Sequence, residues 1–280
     1  MLQNFESFNV VNDGVGSKQS MSNAGWFHLG AAIVLVVATG AQRVLPVVSA
    51  LWHTPMLRSE SLQLSRGDAN VVQLEIYAVS EHFSLHAGAS NAGASNAGAS
   101  NVSADLLQAD VTYATDCEPP RVMYVERANR GYASLYQPLA KTDAWGHSPN
   151  IWQVKLREET PYHLIFNLSA GVADLDLSRL TLAKVHLTSQ SDQLNVDMAH
   201  KRIGGMIFFL QYTGTGVAHI RLPTTMPVLI HIMNGLTQID GQPMPVDSTW
   251  SNLAYSRMLS TKSLVNVIIS DESGAVLIDA

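Results

Sequence analysis

The sequence predicts an all-β fold, a solenoid-like stack of short strands preceded by one N-terminal hydrophobic helix. After residue 52 no stretch shows the 3.6-residue apolar period of an amphipathic helix. Many short segments instead alternate apolar and polar residues between Gly and Pro turns. The gaps between these segments are too short for long hairpins, so we expect successive strands to turn corners and stack on one another.

The stretch from Asn167 to Met198 carries this pattern most clearly. It contains four pairs of apolar residues, each two positions apart, which are Leu175 and Leu177, Leu180 and Leu182, Val185 and Leu187, and Leu194 and Val196. Each pair places two side chains on the same face of a strand. The residues between them should point outward, namely Asp174, Asp176, His186, Asn195 and Asp197. This predicts a structural frame in which coils bury their inward pairs against one another.

The N-terminal part of the chain has a different composition from the rest. Residues 1–24 are polar and predict a disordered tail, and residues 25–52 are apolar enough to predict a membrane-spanning helix. A Trp at each end suits the two membrane interfaces. The residues expected to anchor the helix are Trp26, Leu29, Ile33, Leu35, Val37 and Trp52. A cleaved signal peptide and a buried soluble helix remain alternatives.

Residues 53–59 predict a linker, and residues 60–280 predict the all-β domain. Within that domain, residues 87–101 consist of three copies of the pentapeptide AGASN. Small residues bury too little apolar area to offset the entropy of ordering, so the repeat predicts an exposed loop. The alternative is an additional coil in which Ala packs inward and Asn forms ladders.

Composition excludes several classes of function. The net charge is -6, and the 17 basic residues are scattered without a run, which argues against nucleic-acid binding. The chain has one cysteine, Cys117, so no disulfide can form within it. Cys117 lies beside Asp116 and Glu118, whose carboxylates disfavour the thiolate needed in a nucleophile.

A few His and Asp residues have spacings that invite a catalytic or metal-binding interpretation. His82 and His86 on a strand would lie about 13 Å apart, too far to share one ion. His186, His219 and His231 alternate with apolar residues and could form an outward ladder. The pair Asp174 and Asp176 raises the alternative of a polysaccharide-cleaving enzyme. No nucleophile elbow, phosphate loop or zinc-protease motif is present. We therefore predict no catalytic residues, no cofactor and no metal site.

The segment from Ala128 to Pro149 is aromatic-rich and predicts an irregular excursion. Its aromatic residues Tyr132, Tyr136 and Trp145 could form an interaction surface, because aromatic side chains dominate interface anchors. Capping of the core is the alternative role for the same three side chains.

Three segments resemble the toastrack-type β domains, the LiaF-like, cell-wall-active-antibiotic-response C-terminal domains and their relatives. These segments are AGVADLDLSRLTLAKVHLTSQSDQLNVDM (170–198), TGTGVAHIRLPTTMPVLIHIMNGLTQIDG (213–241) and VNVIISDESGAVLID (265–279). The shared features are a Gly turn before a two-Leu strand, an Ile-x-Leu-Pro turn and a second Gly turn. The resemblance is good from about Ile151 to the end and looser from Ser59. It departs at the pentapeptide insert. It also departs in the number of membrane segments, since this chain has one predicted segment and LiaF-like proteins have several.

The resemblance implies a non-enzymatic, membrane-associated module of the cell envelope, acting in stress sensing or as a scaffold, and it supplies no catalytic residues. The basic residues flanking the apolar run, Lys18 and Arg43, barely favour either orientation. Partly from the resemblance, we expect a single-pass membrane protein with its β domain outside the cytoplasm. The expected partners are the membrane and either an envelope signalling protein or another copy of the chain. A secreted or surface adhesive β protein, released by signal-peptide cleavage, is the second hypothesis.

Overall fold

In the computed structural model of the chain, the described residues are 56–65, 67–88, 105–115, 117–138, 150–200, 205–256 and 264–280. They form 17 strands and one helical turn. The strands are β1 Leu57–Ser65, β2 Val71–Ala87, β3 Asp105–Ala114, β4 Arg121–Arg127, β5 Arg130–Tyr136, β6 Ile151–Leu156, β7 Tyr162–Asp176, β8 Leu182–Ser189, β9 Gln193–Asp197, β10 Met206–Tyr212, β11 Val217–Arg221, β12 Val228–Asn234, β13 Thr237–Ile239, β14 Gln242–Met244, β15 Ser248–Ser251, β16 Val265–Asp271 and β17 Ala275–Asp279. The helical turn α1 is Leu253–Ser256.

The strands form two hydrogen-bonded layers that face each other across the core. Sheet I has the order β1, β3, β6, second half of β2, second half of β7, β9, β11, β17, β13, β14. Sheet II has the order β4, β5, first half of β2, first half of β7, β8, β10, β16, β12, β15. Because β2 and β7 continue from one sheet into the other, each of them forms a complete rung by itself. This confirms the predicted all-β stack.

The order of the rungs in space differs from their order in the chain. The rung of β2 lies between the rung of β5 and β6 and that of β7. The C-terminal rung, β16 and β17, lies between β10 and β11 on one side and β12 and β13 on the other. The last residues of the chain therefore join two parts of the stack that precede them in sequence.

Alternate residues of every rung point into one continuous apolar core. In β7 the buried positions are even-numbered up to Ala170 and odd-numbered from Ala173, so the alternation shifts where the strand passes from one sheet to the other. The same shift occurs in β2 between Ser80 and Phe83. At these corners the rungs pack closely, and a Cβ added to Gly171 would lie 2.8 Å from the carbonyl oxygen of Glu81.

Several buried polar groups at the corners are paired within the stack. The hydroxyl of Tyr212 donates to the carbonyl oxygen of Ser191 at 2.8 Å. Burial raises the pKa of Tyr212, and the charges of Asp271 and Asp192 add to this effect. The buried carboxylate of Asp271 accepts backbone N–H bonds from the two turns beside it, from Leu236 at 3.2 Å, Ser273 at 3.3 Å and Gly274 at 3.1 Å. These bonds satisfy backbone groups where strands change sheets.

Antiparallel strands close both ends of the stack. At one end Leu62 and Leu64 of β1 pack against the core, together with Val122 and Tyr124 of β4. At the other end Met244 of β14 and Trp250 of β15 do the same. Terminal strands of this kind cover the apolar interior of a solenoid, which would otherwise be exposed to water.

Several elements differ from the sequence prediction. Tyr132 and Tyr136 lie on the regular strand β5, not in an irregular excursion, because Ala128 and Asn129 adopt positive φ angles and close a tight hairpin with β4. Gly171 lies inside β7 and makes no turn. Leu177 and Leu180 lie in the turn between β7 and β8, where the Leu180 N–H donates to the Leu177 carbonyl. Residues 248–251, predicted as a covering loop, form β15. Finally, β1 begins at Leu57, within the segment predicted as a linker.

Tyr113 of β3 should make the stability of the domain fall at alkaline pH. Its side chain is buried, and burial, reinforced by the carboxylate of Glu60, raises its pKa to about 12. A raised pKa in the folded state stabilises the protein below the unfolded pKa of 10.0, and this contribution is lost as pH rises toward 12. We expect the midpoint of urea unfolding to fall over this range, and to fall less in Tyr113→Phe. Equal slopes in the two proteins would contradict this assignment.

Candidate interaction surface

The exterior of sheet II forms an extended surface that we call the apolar face. Its side chains come from the outward positions of the strands, and the strand registers align them in three rows. The central row runs Met123, Ser134, Glu75, Ile165, His186, Phe209, Ile268, His231, Thr249. One flanking row runs Val125, Tyr132, Gln73, His163, Lys184, Ile207, Asn266, Leu229, Ser251, and the other runs Arg121, Tyr136, Tyr77, Asn167, Thr188, Gln211, Ser270.

Two of the three predicted interaction residues lie together on this face. Tyr132 and Tyr136 occupy outward positions of β5, and Tyr136 is the register partner of Tyr77 on β2. Tyr132 is 41% exposed and Tyr77 is 45% exposed, so their rings are accessible to a partner. Trp145 lies outside the described residues. That these tyrosines bind a partner remains a prediction.

Near the middle of the apolar face, His186 of β8 and Phe209 of β10 form an aromatic contact. The ring of His186 packs edge-on against Phe209, with 4.7 Å between the ring centroids and an interplanar angle of 85°. Ile165 and Ile268 flank this pair in the central row. Ile165, His186, Phe209 and Ile268 therefore form an unbroken aliphatic and aromatic segment at the centre of this row.

The apolar face carries few charges. Glu75 is the one carboxylate in the three rows of described residues, and it accepts hydrogen bonds from Gln73 Nε2 at 2.9 Å and from the Tyr77 hydroxyl at 3.4 Å. Burial raises the pKa of Tyr77, and the neighbouring charge of Glu75 adds to this. The basic side chains in the rows are Lys184 near the centre and Arg121 at one end.

The exterior of sheet I is polar by comparison. Its outward carboxylates are Asp110, Asp174, Asp176, Asp197 and Asp279. Its exposed large apolar side chains among the described residues are Leu57 and Ile151, whereas the exterior of sheet II exposes Tyr77, Val79, Met123, Val125, Tyr132 and Ile207. The two outer surfaces of one stack therefore differ in chemical character.

The predicted outward carboxylates and histidines do point outward, but they are dispersed. Asp174 accepts a hydrogen bond from Asn195 Nδ2 at 2.6 Å and lies 3.7 Å from Nε2 of His82. Asp176 accepts hydrogen bonds from Ser178. Both carboxylates are therefore engaged by neighbouring side chains on the exterior of sheet I.

The hypothesis of a histidine ladder is wrong in its geometry. His219 lies on sheet I, whereas His186 and His231 lie on sheet II with Phe209 and Ile268 between them in the row. Within the described ranges, no group of three or more His, Cys, Asp or Glu side chains could hold a metal ion. Cys117 is partly buried against the core.

Sequence reasoning missed most of the apolar face, although a signal for it is present. The strands MIFFLQY, VNVIISD and VLIHIMN are apolar at both odd and even positions. A half-buried strand should alternate, so a continuous apolar run indicates that both of its faces avoid water. Here the second set of positions gives Ile207, Phe209 and Ile268 on the exterior.

The predicted membrane helix, with Trp26, Leu29, Ile33, Leu35, Val37 and Trp52, lies outside the described residues, as does nearly all of the pentapeptide repeat. Among the residues that the structure describes, no helix combines the length and apolar character needed to cross a bilayer.

A solved structure shows the same architecture. The crystal structure of a candidate cell adhesion protein from Clostridium sporogenes aligns with a TM-score of 0.66 and 17% identity, covering 80% of this chain and 99% of the other. Candidate adhesins from Bacteroides fragilis (7% identity, 80% and 97% of the two chains) and Parabacteroides merdae (9% identity, 80% and 96%) align with TM-scores of 0.25 and 0.23, too low to carry an argument. No curated protein matches the chain.

A family model also matches the chain, over residues 90–205. The family is described as the N-terminal domain of toast_rack, DUF2154. The matched residues run through β3 to β9, so they include the first of the three resembling segments, residues 170–198. With the two-sheet stack and the structural match, this shows that the chain contains a toast-rack-type β domain.

Proposed function

We propose that the chain is a non-enzymatic binding module of a surface or envelope protein, which contacts a partner through the apolar face. One observation carries this proposal, the contrast between the two exteriors of the stack. Exposed apolar patches on a protein surface often mark interaction sites. Among the described residues, the exterior of sheet II exposes six large apolar side chains where the exterior of sheet I exposes two, so the two surfaces of one stack can be compared directly.

The fold supports a role at the cell surface. The Clostridium sporogenes protein, which shares the architecture, is described as a candidate cell adhesion protein. The apolar segment at residues 25–52 supports a membrane anchor, with the β domain outside the cytoplasm. In this proposal the stack is a rigid platform, and the side chains on its exterior select the partner. A secreted adhesive protein, produced by cleavage of that segment, is the second candidate.

The distribution of polar side chains supports a non-enzymatic role. Asp174 and Asp176 occupy outward positions of β7, where they are engaged by Asn195 and Ser178. A glycosidase needs one protonated and one ionised carboxyl group on opposite sides of a substrate bond. Two acids side by side on one strand do not give that arrangement.

Photo-crosslinking in intact cells tests the proposal. A photoreactive amino acid replacing Tyr132 on the apolar face should give a covalent adduct with a protein partner. The same amino acid replacing Gln153, which is exposed on the exterior of sheet I, should give none. The two positions lie on the same rung and are both exposed, so neither substitution removes a core side chain.

Fractionation of the same cells shows whether the predicted membrane anchor is retained in the mature chain. A membrane fraction containing the chain with residues 1–50 retained supports anchoring, whereas a chain that begins near Ala41 or Leu51 supports the secreted form. Absence of an adduct at both positions would contradict the binding role in either form.

A further inference from the structure

We propose that the apolar face docks onto the apolar face of a second copy of the chain, around a twofold axis that runs along β7. This rests on the proposed function, since it names the partner of the same surface. Two sheets can pack face to face at about 10 Å with their strands roughly aligned, as in a β-sandwich.

The size of the face suits a stable dimer. A twofold axis along β7 superposes seven of the nine strands of sheet II, from β4 to β16, which at about 4.8 Å per strand span close to 30 Å. Three outward residues per strand extend over about 20 Å. The resulting area of about 600 Å² per copy, or about 1,200 Å² in total, reaches the lower end of the range for specific interfaces.

The charges of the face complement one another under this rotation. Glu75 lies on β2, one strand from β7 on one side, and His186 and Lys184 lie on β8, one strand away on the other side. A twofold axis along β7 places Glu75 of one copy opposite His186 of the partner, with Lys184 one row away. The contact occurs twice by symmetry, so the carboxylate of each copy meets a basic group.

Two apolar pairs also form under this rotation, which places β5 opposite β10 and β4 opposite β16. Tyr132 meets Ile207 and Met123 meets Ile268, whereas Phe209 lies opposite the small side chain of Ser134. The axis itself passes His163, Ile165 and Asn167 of β7, which face their own counterparts. None of these three residues has a carboxylate, so the axis places no acidic side chain next to the same side chain of the partner. Arg121, at one end of the face, comes opposite Ser270.

Light scattering of the full chain, extracted in a mild detergent, measures the dimer directly. The unmodified chain should have twice the mass of one chain after subtraction of the detergent. Ile165→Arg places two positive charges on the axis and should give a monomer. Because Ile165 points outward from β7, its thermal unfolding should stay close to that of the unmodified chain.

Exchanging the charges of Glu75 and Lys184 tests the position of the twofold axis as well as the use of the apolar face. Glu75→Lys and Lys184→Glu should each raise the dimer dissociation constant about tenfold, since each creates like-charge contacts across the interface. The double variant restores opposite charges and should return the constant to within a few-fold of the original.

Cross-linking gives a second measurement that does not depend on affinity. In a Cys117→Ser background, Asn167→Cys on the axis should join two chains through a short bismaleimide. Gln153→Cys on the exterior of sheet I is the control and should remain a single chain. Cross-linking at both positions to the same extent would overturn the assignment of the face.

The outcomes separate this inference from the proposed function. A chain that is monomeric in detergent, or a dimer that persists in Ile165→Arg, overturns the twofold contact. If the adduct at residue 132 in cells contains a different protein and the chain itself is monomeric, the dimer is wrong and the binding role stands. If residue 132 forms no adduct, both proposals fail.

Discussion

Ile269→Asp should unfold the β domain, whereas Ile268→Asp on the same strand should leave it folded. Ile269 is fully buried between the two sheets, and its neighbour Ile268 points outward onto the apolar face. An unpaired charge at position 269 would have no partner in an apolar interior, and it would lie two residues from the buried carboxylate of Asp271. We expect a loss of about 4–5 kcal/mol or more, comparable to the whole stability of a typical domain.

The position of this strand in the stack magnifies the effect. Because β16 lies between β10 and β12, loosening it also detaches the rung of β12 and β13 and the end strands β14 and β15. Circular dichroism and the urea midpoint measure the outcome. Ile268→Asp is the matched control and should lose about 1–2 kcal/mol, the range of strand propensity together with a partly exposed contact. Similar losses in both variants would contradict the inward and outward assignment.

Gly216→Ala should have the second largest effect, because the corner after β10 has no room for a methyl group. A Cβ at this position would overlap the backbone carbonyl oxygen of Asp192 in the neighbouring rung. A backbone atom held by its own hydrogen bonds cannot move aside as the end of a side chain can. The expected cost is about 3 kcal/mol, at the upper end for overpacking.

Gly67→Ala is the control for this substitution. The atoms nearest to its Cβ would be the side-chain ends of Glu126 and Tyr124, which can shift. The expected change is within about 0.5 kcal/mol. Thermal unfolding of the two variants measures the difference. A Gly216→Ala variant as stable as Gly67→Ala would show that the rungs do not approach as closely as described.

The sequence predicted the fold class because the evidence for it is local. The pairs Val185 with Leu187 and Leu194 with Val196 lie two positions apart, and both members of each pair are buried. This alternation follows from the geometry of a single strand, so a short segment of sequence is enough to reveal it. The insertion of the C-terminal rung was not predictable in this way. Parallel rungs pair through backbone groups and similar apolar side chains, so no local pattern says which rung is the neighbour of which.

The candidate surface was predicted in part for the same reason. Tyr132 and Tyr136 were singled out as exposed aromatic residues, and both lie on the apolar face. Their neighbour Tyr77 is distant in sequence and comes close only through strand pairing, as does Phe209 to His186 farther along the face. The hairpin between β4 and β5 was missed because Ala128 and Asn129 replace the usual Asn-Gly signal.

The comparison of residues 132 and 153 tests the central claim most directly, because both residues are exposed on one rung but on opposite exteriors. With photoreactive residues in intact cells, we predict at least a tenfold excess of adduct at 132. An adduct of twice the chain mass would identify a second copy as the partner. Equal adduct at the two positions, or more adduct at 153, would contradict the claim that the exterior of sheet II is the binding face.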